Sequence, residues 1–118
     1  MMFDWQTYRD QLMAGIKDIG QNSPGTIKGY LELGAAGAKQ DLLGAKMREL
    51  ISLEVAVTVR CDGCIAVHSE AALRAGATKA EITEALGVAV AVSAGAALVY
   101  STRVMDAIGD LAHAAPTQ

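Results

Sequence analysis

Between Ala85 and Tyr100 the chain runs for sixteen residues on Ala, Val, Gly and Leu, with Ser93 the one frankly polar side chain before the end. Such a run has to be hidden from water, and its residue types limit how. A bilayer span needs about 20 apolar residues, so this run falls short of one. Small side chains let a helix approach its neighbour closely, which suits helix–helix packing. Val88-Ala-Val-Ala-Val92 and Glu54-Val-Ala-Val-Thr-Val59 alternate in a way that also suits strands. The alternating partner is usually Ala, and both stretches lie inside longer helical periods, so helix is the better reading. The expected fold class is all-α.

The 118 residues allow one domain, 1–118, with a single core and little to spare. Apolar residues make up 52% of the chain against 19% charged, and the mean hydropathy is +0.27. A small monomer does not easily hide that much, so part of the apolar surface is expected in the interface of a homo-oligomer. A net charge of −3, with no cluster of Lys and Arg, argues against a nucleic-acid partner. Met1-Met2-Phe3-Asp4-Trp5-Gln6 lacks the basic and apolar regions of a signal peptide. The chain therefore reads as soluble and cytoplasmic, with no membrane partner. In a reducing compartment two cysteines are more often redox-active or metal-binding than a structural staple.

Helical periods recur along the whole sequence. Trp5, Tyr8, Leu12, Ile16 and Ile19 predict a first amphipathic helix. Ser23 as N-cap with Pro24 after it predicts a second, through Ile27, Tyr30 and Leu31, dissolving at Gly34-Ala35-Ala36-Gly37. A third is expected over Lys46 to Arg60, with Met47, Leu50, Ile51 and Val55 on one stripe and Glu54 oddly beside them. Asp62-Gly63 is expected to break it, so that a fourth begins near Cys64 and ends at Gly76. Thr78 and Glu81 form a capping box for a helix through Ile82, Leu86 and Ala89. A last helix over Ala96 to Leu111 and a flexible tail over His113 to Gln118 complete the reading.

Chemistry concentrates at Cys61-Asp-Gly-Cys64 and at His68, four residues further on. At i, i+3 and i+7 the three side chains return to nearly one azimuth of a helix. One helical turn brings the cysteine Cα atoms into the roughly 4.4–6.8 Å range that a disulfide needs. Placed at a helix N-terminus, a thiol there is drawn toward thiolate by free N–H groups and the helix dipole. His68 can take or return a proton. Against this stand blander readings: buried cysteines acting as small hydrophobes beside a core histidine, or a zinc site with only three ligands and no second CxxC. Covalent haem is excluded, because Ile65 rather than His follows Cys64. Glu54, seven residues before Cys61, would share its face on an unbroken helix, whereas Glu49 would not.

The stretch from Lys46-Met-Arg-Glu49 through Cys61-Asp-Gly-Cys64-Ile-Ala-Val-His68 and on to Ala75-Gly-Ala-Thr78-Lys-Ala-Glu81-Ile resembles the carboxymuconolactone decarboxylase family. More narrowly it resembles the branch containing alkylhydroperoxidase D. The likeness spans about residues 43–100. It implies a single-domain helical bundle assembling as homo-trimers or homo-hexamers, with a dithiol site that reduces hydroperoxides or a partner disulfide. It implies Cys64 as the thiol activated through His68, Cys61 as its disulfide partner, and Glu49 in the proton relay, which favours Glu49 over Glu54.

Two positions depart from the branch. A histidine between the cysteines is replaced by Gly63, and a Gly-Gly-Pro segment reads Ala94-Gly95-Ala96. The expected function is that of a thiol-dependent peroxidase or disulfide reductase, without cofactor or metal, recharged by an external dithiol such as a lipoyl-protein or a thioredoxin-like donor. The alternatives are a decarboxylase-type lyase using His68 as acid/base, and a non-enzymatic metal-binding assembly protein.

Overall fold

The structure is a computed structural model and describes residues 2–114. Five helices follow one another: α1 (Trp5–Asn22), α2 (Pro24–Gln40), α3 (Ala45–Val59), α4 (Asp62–Arg74) and α5 (Lys79–Ala114). No strand occurs among the described residues, as the Ala-rich alternation predicts.

Local chemistry explains most of the boundaries. Asp4 caps α1, its carboxylate accepting from the Thr7 backbone N–H at 3.1 Å. Ser23 separates α1 from α2 with Pro24 in the first turn, but its hydroxyl pairs with that of Thr26 at 2.7 Å instead of capping the backbone. After α4, Gly76 takes a left-handed φ of 91°. Its N–H donates to the Leu73 carbonyl and that of Ala77 to the Ala72 carbonyl, each at 3.0 Å. That paired arrangement satisfies the carbonyls at the end of α4. The Thr78–Glu81 capping box is present in both directions: Glu81 N–H donates to Thr78 Oγ1 at 3.1 Å, and Thr78 N–H to Glu81 Oε1 at 2.9 Å.

Four expectations need correction. α2 continues through Gly34-Ala35-Ala36-Gly37 to Gln40, ending where Asp41 turns left-handed at φ 49°. Each glycine costs a helix about 1 kcal/mol relative to Ala but leaves its hydrogen bonds in place, so the segment weakens without breaking. The break between α3 and α4 falls at Arg60, left-handed at φ 58°, and not at Asp62-Gly63. Asp62 and Gly63 lie in the first turn of α4, where a carboxylate favours the helix dipole. The two helices expected after Thr78 are one helix of 36 residues, since no proline interrupts it. That helix carries His113 and Ala114, expected in the tail; the rest of that tail lies outside the described residues.

α3 packs against both α4 and α5, while α1 packs against α2 and α4. The core is small: Leu50, Leu53, Ala72, Ala77 and Ala85, with Ile82 against them. Of the α3 stripe only Leu50 is buried; Met47, Ile51 and Val55 remain exposed. α5 is long and apolar enough, by length and composition alone, to cross a membrane. Its Ala85 and Ala89 are buried within this chain, so that end of it serves as a packing element.

The folded chain is far from spherical. Its radius of gyration is 20.5 Å, against about 13.5 Å for a compact domain of this length. The accessible surface is 9190 Å², against about 6,100 Å² for a folded monomer of this mass.

Candidate functional site

The turn at Arg60 delivers Cys61 in an extended conformation (φ −102°, ψ 99°) as the N-cap of α4. Its Sγ accepts from the Cys64 backbone N–H at 3.2 Å. Cys61 and Cys64 are joined as a disulfide with Cα atoms 5.2 Å apart. The sequence places Cys61, Cys64 and His68 on one helical face. In the structure Cys61 precedes the helix, and the cap hydrogen bond brings its sulfur back to Cys64. Both cysteines are half-buried, and Asp62 beside them is exposed.

Across the α3–α4 contact, His68 Nδ1 lies 2.7 Å from Glu49 Oε2, with the two side chains 30% and 25% exposed. A carboxylate at Nδ1 holds the hydrogen on that nitrogen and leaves Nε2 as the basic one. Helix packing thus makes the Glu49–His68 partnership, which a count of residues along one continuous helix does not show. Glu54 lies elsewhere. It lines a largely apolar groove of about 290 Å³ between α3 and α5, with Val55, Thr58, Val88, Val92 and Ser93. Among the described residues no group of three or more His, Cys, Asp or Glu is arranged to hold a metal ion.

The stripe on α1 supplies a wall of this site that residue spacing did not reveal. A Cβ built at Gly63 would stand 3.1 Å from Leu12 Cδ2 and 3.9 Å from the Tyr8 hydroxyl. The space beside the residue between the cysteines is therefore filled from α1. One turn earlier on α1, Trp5 and Arg9 line a groove of about 310 Å³ with Ile65, Ala66 and Ser69 of α4. Arg9 fastens the two helices by donating to the Ala66 carbonyl at 3.4 Å. Its Nε lies 3.3 Å from Glu70 Oε2, within ion-pair distance yet misaligned for a hydrogen bond, so that buried N–H stays unpaired. The periodicity of Trp5, Tyr8 and Leu12 is plain in the sequence; which helix they meet is not.

The chain has clear relatives. The model of the carboxymuconolactone decarboxylase family matches residues 24–107, a span that excludes α1. A Haemophilus influenzae protein described as uncharacterized is 44% identical over 107 residues, covering 91% of this chain and 95% of that protein. A second protein described as uncharacterized, from the cox locus of Paracoccus denitrificans, is 30% identical over 82 residues, covering 70% of this chain and 74% of its own. Among solved structures, apo-lpg0406 from Legionella pneumophila, a carboxymuconolactone decarboxylase family protein, superposes with a TM-score of 0.72 at 28% identity, covering 90% of this chain and 95% of that one.

Proposed function

The chain belongs to the carboxymuconolactone decarboxylase family, and from that membership we propose that it is a thiol-dependent peroxidase or disulfide reductase. The observation that carries this reading is the half-buried Cys61–Cys64 pair at the start of α4, with the Glu49–His68 pair on the adjoining α3 and α4.

In the reduced protein, Nε2 of His68 takes the Cys64 thiol proton, and Glu49 stabilises the imidazolium so formed. The Cys64 thiolate attacks the terminal oxygen of a hydroperoxide and the O–O bond breaks. The thiolate becomes a sulfenic acid and the leaving alkoxide takes a proton to become an alcohol. Cys61 then displaces hydroxide from the sulfenic sulfur, releasing water and leaving the disulfide. An external dithiol of the lipoyl or thioredoxin-like class returns two electrons and two protons and is itself oxidised. In that return step the dithiol attacks Cys64, so Cys61 leaves as thiolate, helped by the Cys64 N–H that its Sγ accepts. A partner disulfide would enter the same cycle in place of peroxide.

The reading assigns the protein to a compartment with a dithiol donor, the cytoplasm, and to a homo-trimer or homo-hexamer. Support for assembly is the accessible surface, about 3,000 Å² above that of a folded monomer of this mass.

Mass spectrometry of the reduced protein before and after one equivalent of hydroperoxide tests the chemistry. Loss of two hydrogens mapped to a Cys61–Cys64 link is expected, and Cys64→Ser should abolish it. Unchanged peroxide consumption in that variant would refute the assignment. The Glu49–His68 pair also favours a second reading, because it forms an acid/base pair needing no thiol. A lyase built on His68 would keep its activity after both cysteines are replaced.

A further inference from the structure

We propose that Tyr8 is a further member of this site, its phenol O–H donating a hydrogen bond to the thiolate of the opened Cys61–Cys64 pair. The inference deepens the redox reading above and rests on it for its role in turnover.

Three observations converge on the phenol. Its oxygen lies 3.9 Å from the position of a Cβ at Gly63, one of the two residues between the cysteines in the first turn of α4. The ring is held from behind by aromatic neighbours: Phe3 stacks on it with centroids 6.2 Å apart, and Trp5 meets it edge-on at 6.0 Å. Cys61 Sγ, on the same turn, accepts from the Cys64 backbone N–H, so that turn already gathers donors toward sulfur. A half-buried phenol between two aromatic neighbours, set against the turn that carries both sulfurs, is the hydroxyl that α1 brings to this turn. Gly63 is what admits it, since a larger side chain there would compete with Leu12 and Tyr8 for the same space. Because α1 lies outside residues 24–107, this donor belongs to the chain's own N-terminal helix and not to the span the family model describes.

The phenol O–H acts as a neutral donor. The charged groups on the elements around it include Asp4 at the cap of α1 and Asp10 on it, Arg60 and Asp62 beside the cysteines, the Glu49–His68 pair of α3 and α4, and Glu70 of α4 with Arg9 and Arg74. Tyr8→Phe leaves all of these in place and keeps the ring, so its effect isolates the hydroxyl.

The test is the pH dependence of iodoacetamide alkylation of the fully reduced, full-length protein, mapped to Cys61 and Cys64 by peptide mass spectrometry. Tyr8→Phe should raise the alkylation midpoint of the more reactive thiol by about one pH unit. Leu12→Ala, which removes packing at the same glycine, should leave the midpoint where it is. Disulfide formation with one equivalent of hydroperoxide at pH 7 should slow about ten-fold in Tyr8→Phe. A midpoint unmoved in Tyr8→Phe, or moved equally by Leu12→Ala, overturns the proposal. Alkylation needs no turnover, so a wild-type protein inert to peroxide would sink the peroxidase reading while a shifted midpoint still upheld the hydrogen bond.

Discussion

Glu49 and Glu54 sit five residues apart on α3, and the structure gives them different surroundings. Glu49 reaches His68 on α4 at 2.7 Å, whereas Glu54 turns to an apolar groove shared with α5. A carboxylate that orients an imidazole contributes to proton transfer, an effect of about 10²–10⁴ when a general base is lost outright. Glu49→Gln keeps the shape and removes the charge, so peroxide-driven disulfide formation should fall by at least about ten-fold. Glu54→Gln should leave that rate within about two-fold, since nothing places it near the sulfurs. Single-turnover kinetics on the two variants checks the contrast, and equal losses in both would dissolve it.

At the scale of elements, the start of α5 is held from two sides. Glu81 closes the capping box with Thr78 and accepts from Lys46 Nζ on α3 at 2.8 Å. The Lys46 hydrogen bond, followed by those from Thr78, lowers the Glu81 carboxyl from 4.5 to about 2. A carboxyl lowered on folding stabilises the protein above its unfolded value and loses that contribution as pH falls through its folded one. The stability difference between wild type and Glu81→Gln should therefore be constant above pH 5 and shrink steadily between 4.5 and about 2. Urea titrations at several pH values read it directly. Thr78→Ala removes the other half of the box and should cost about 1 kcal/mol above pH 5, where Glu81 is ionised. A variant with unchanged midpoint would show that the α3–α5 contact alone fixes the helix start.

At the scale of the whole molecule, the second half of α5 is exposed along its length among the described residues. Val104, Ile108 and Leu111 recur at helical spacing and remain 57%, 52% and 67% exposed. Met47, Ile51 and Val55 on α3 are exposed as well, and exposed apolar surface is of the kind that closes between subunits. The extra surface of about 3,000 Å² is large beside the roughly 800 Å² that each partner gives to an ordinary interface. On the proposed homo-oligomer, wild type should sediment as a trimer or hexamer in analytical ultracentrifugation, and Val104→Glu combined with Ile108→Glu should sediment as single chains with a lower thermal midpoint. A wild type that sediments as a single chain would overturn the proposed assembly, and an oligomeric variant would overturn the role of this face.

The sequence by itself determined whatever depends on near neighbours along the chain. The helical character of every segment, the Ser23-Pro24 junction, the Gly76 stop and the Thr78–Glu81 box are decided within a few residues, by propensity and by short hydrogen bonds. The Cys61–Cys64 spacing belongs with them, because a separation of three fixes how far apart the sulfurs can be. Where such signals were weak, the reading erred: two glycines did not end α2, and α5 runs undivided through Gly87, Gly95 and Gly109. Tertiary structure alone decided which glutamate meets His68, where Glu54 goes, and that α1 covers Gly63 with Leu12 and Tyr8. Those pairings join residues many positions apart, and they depend on how helices pack, which the period of a single helix does not encode.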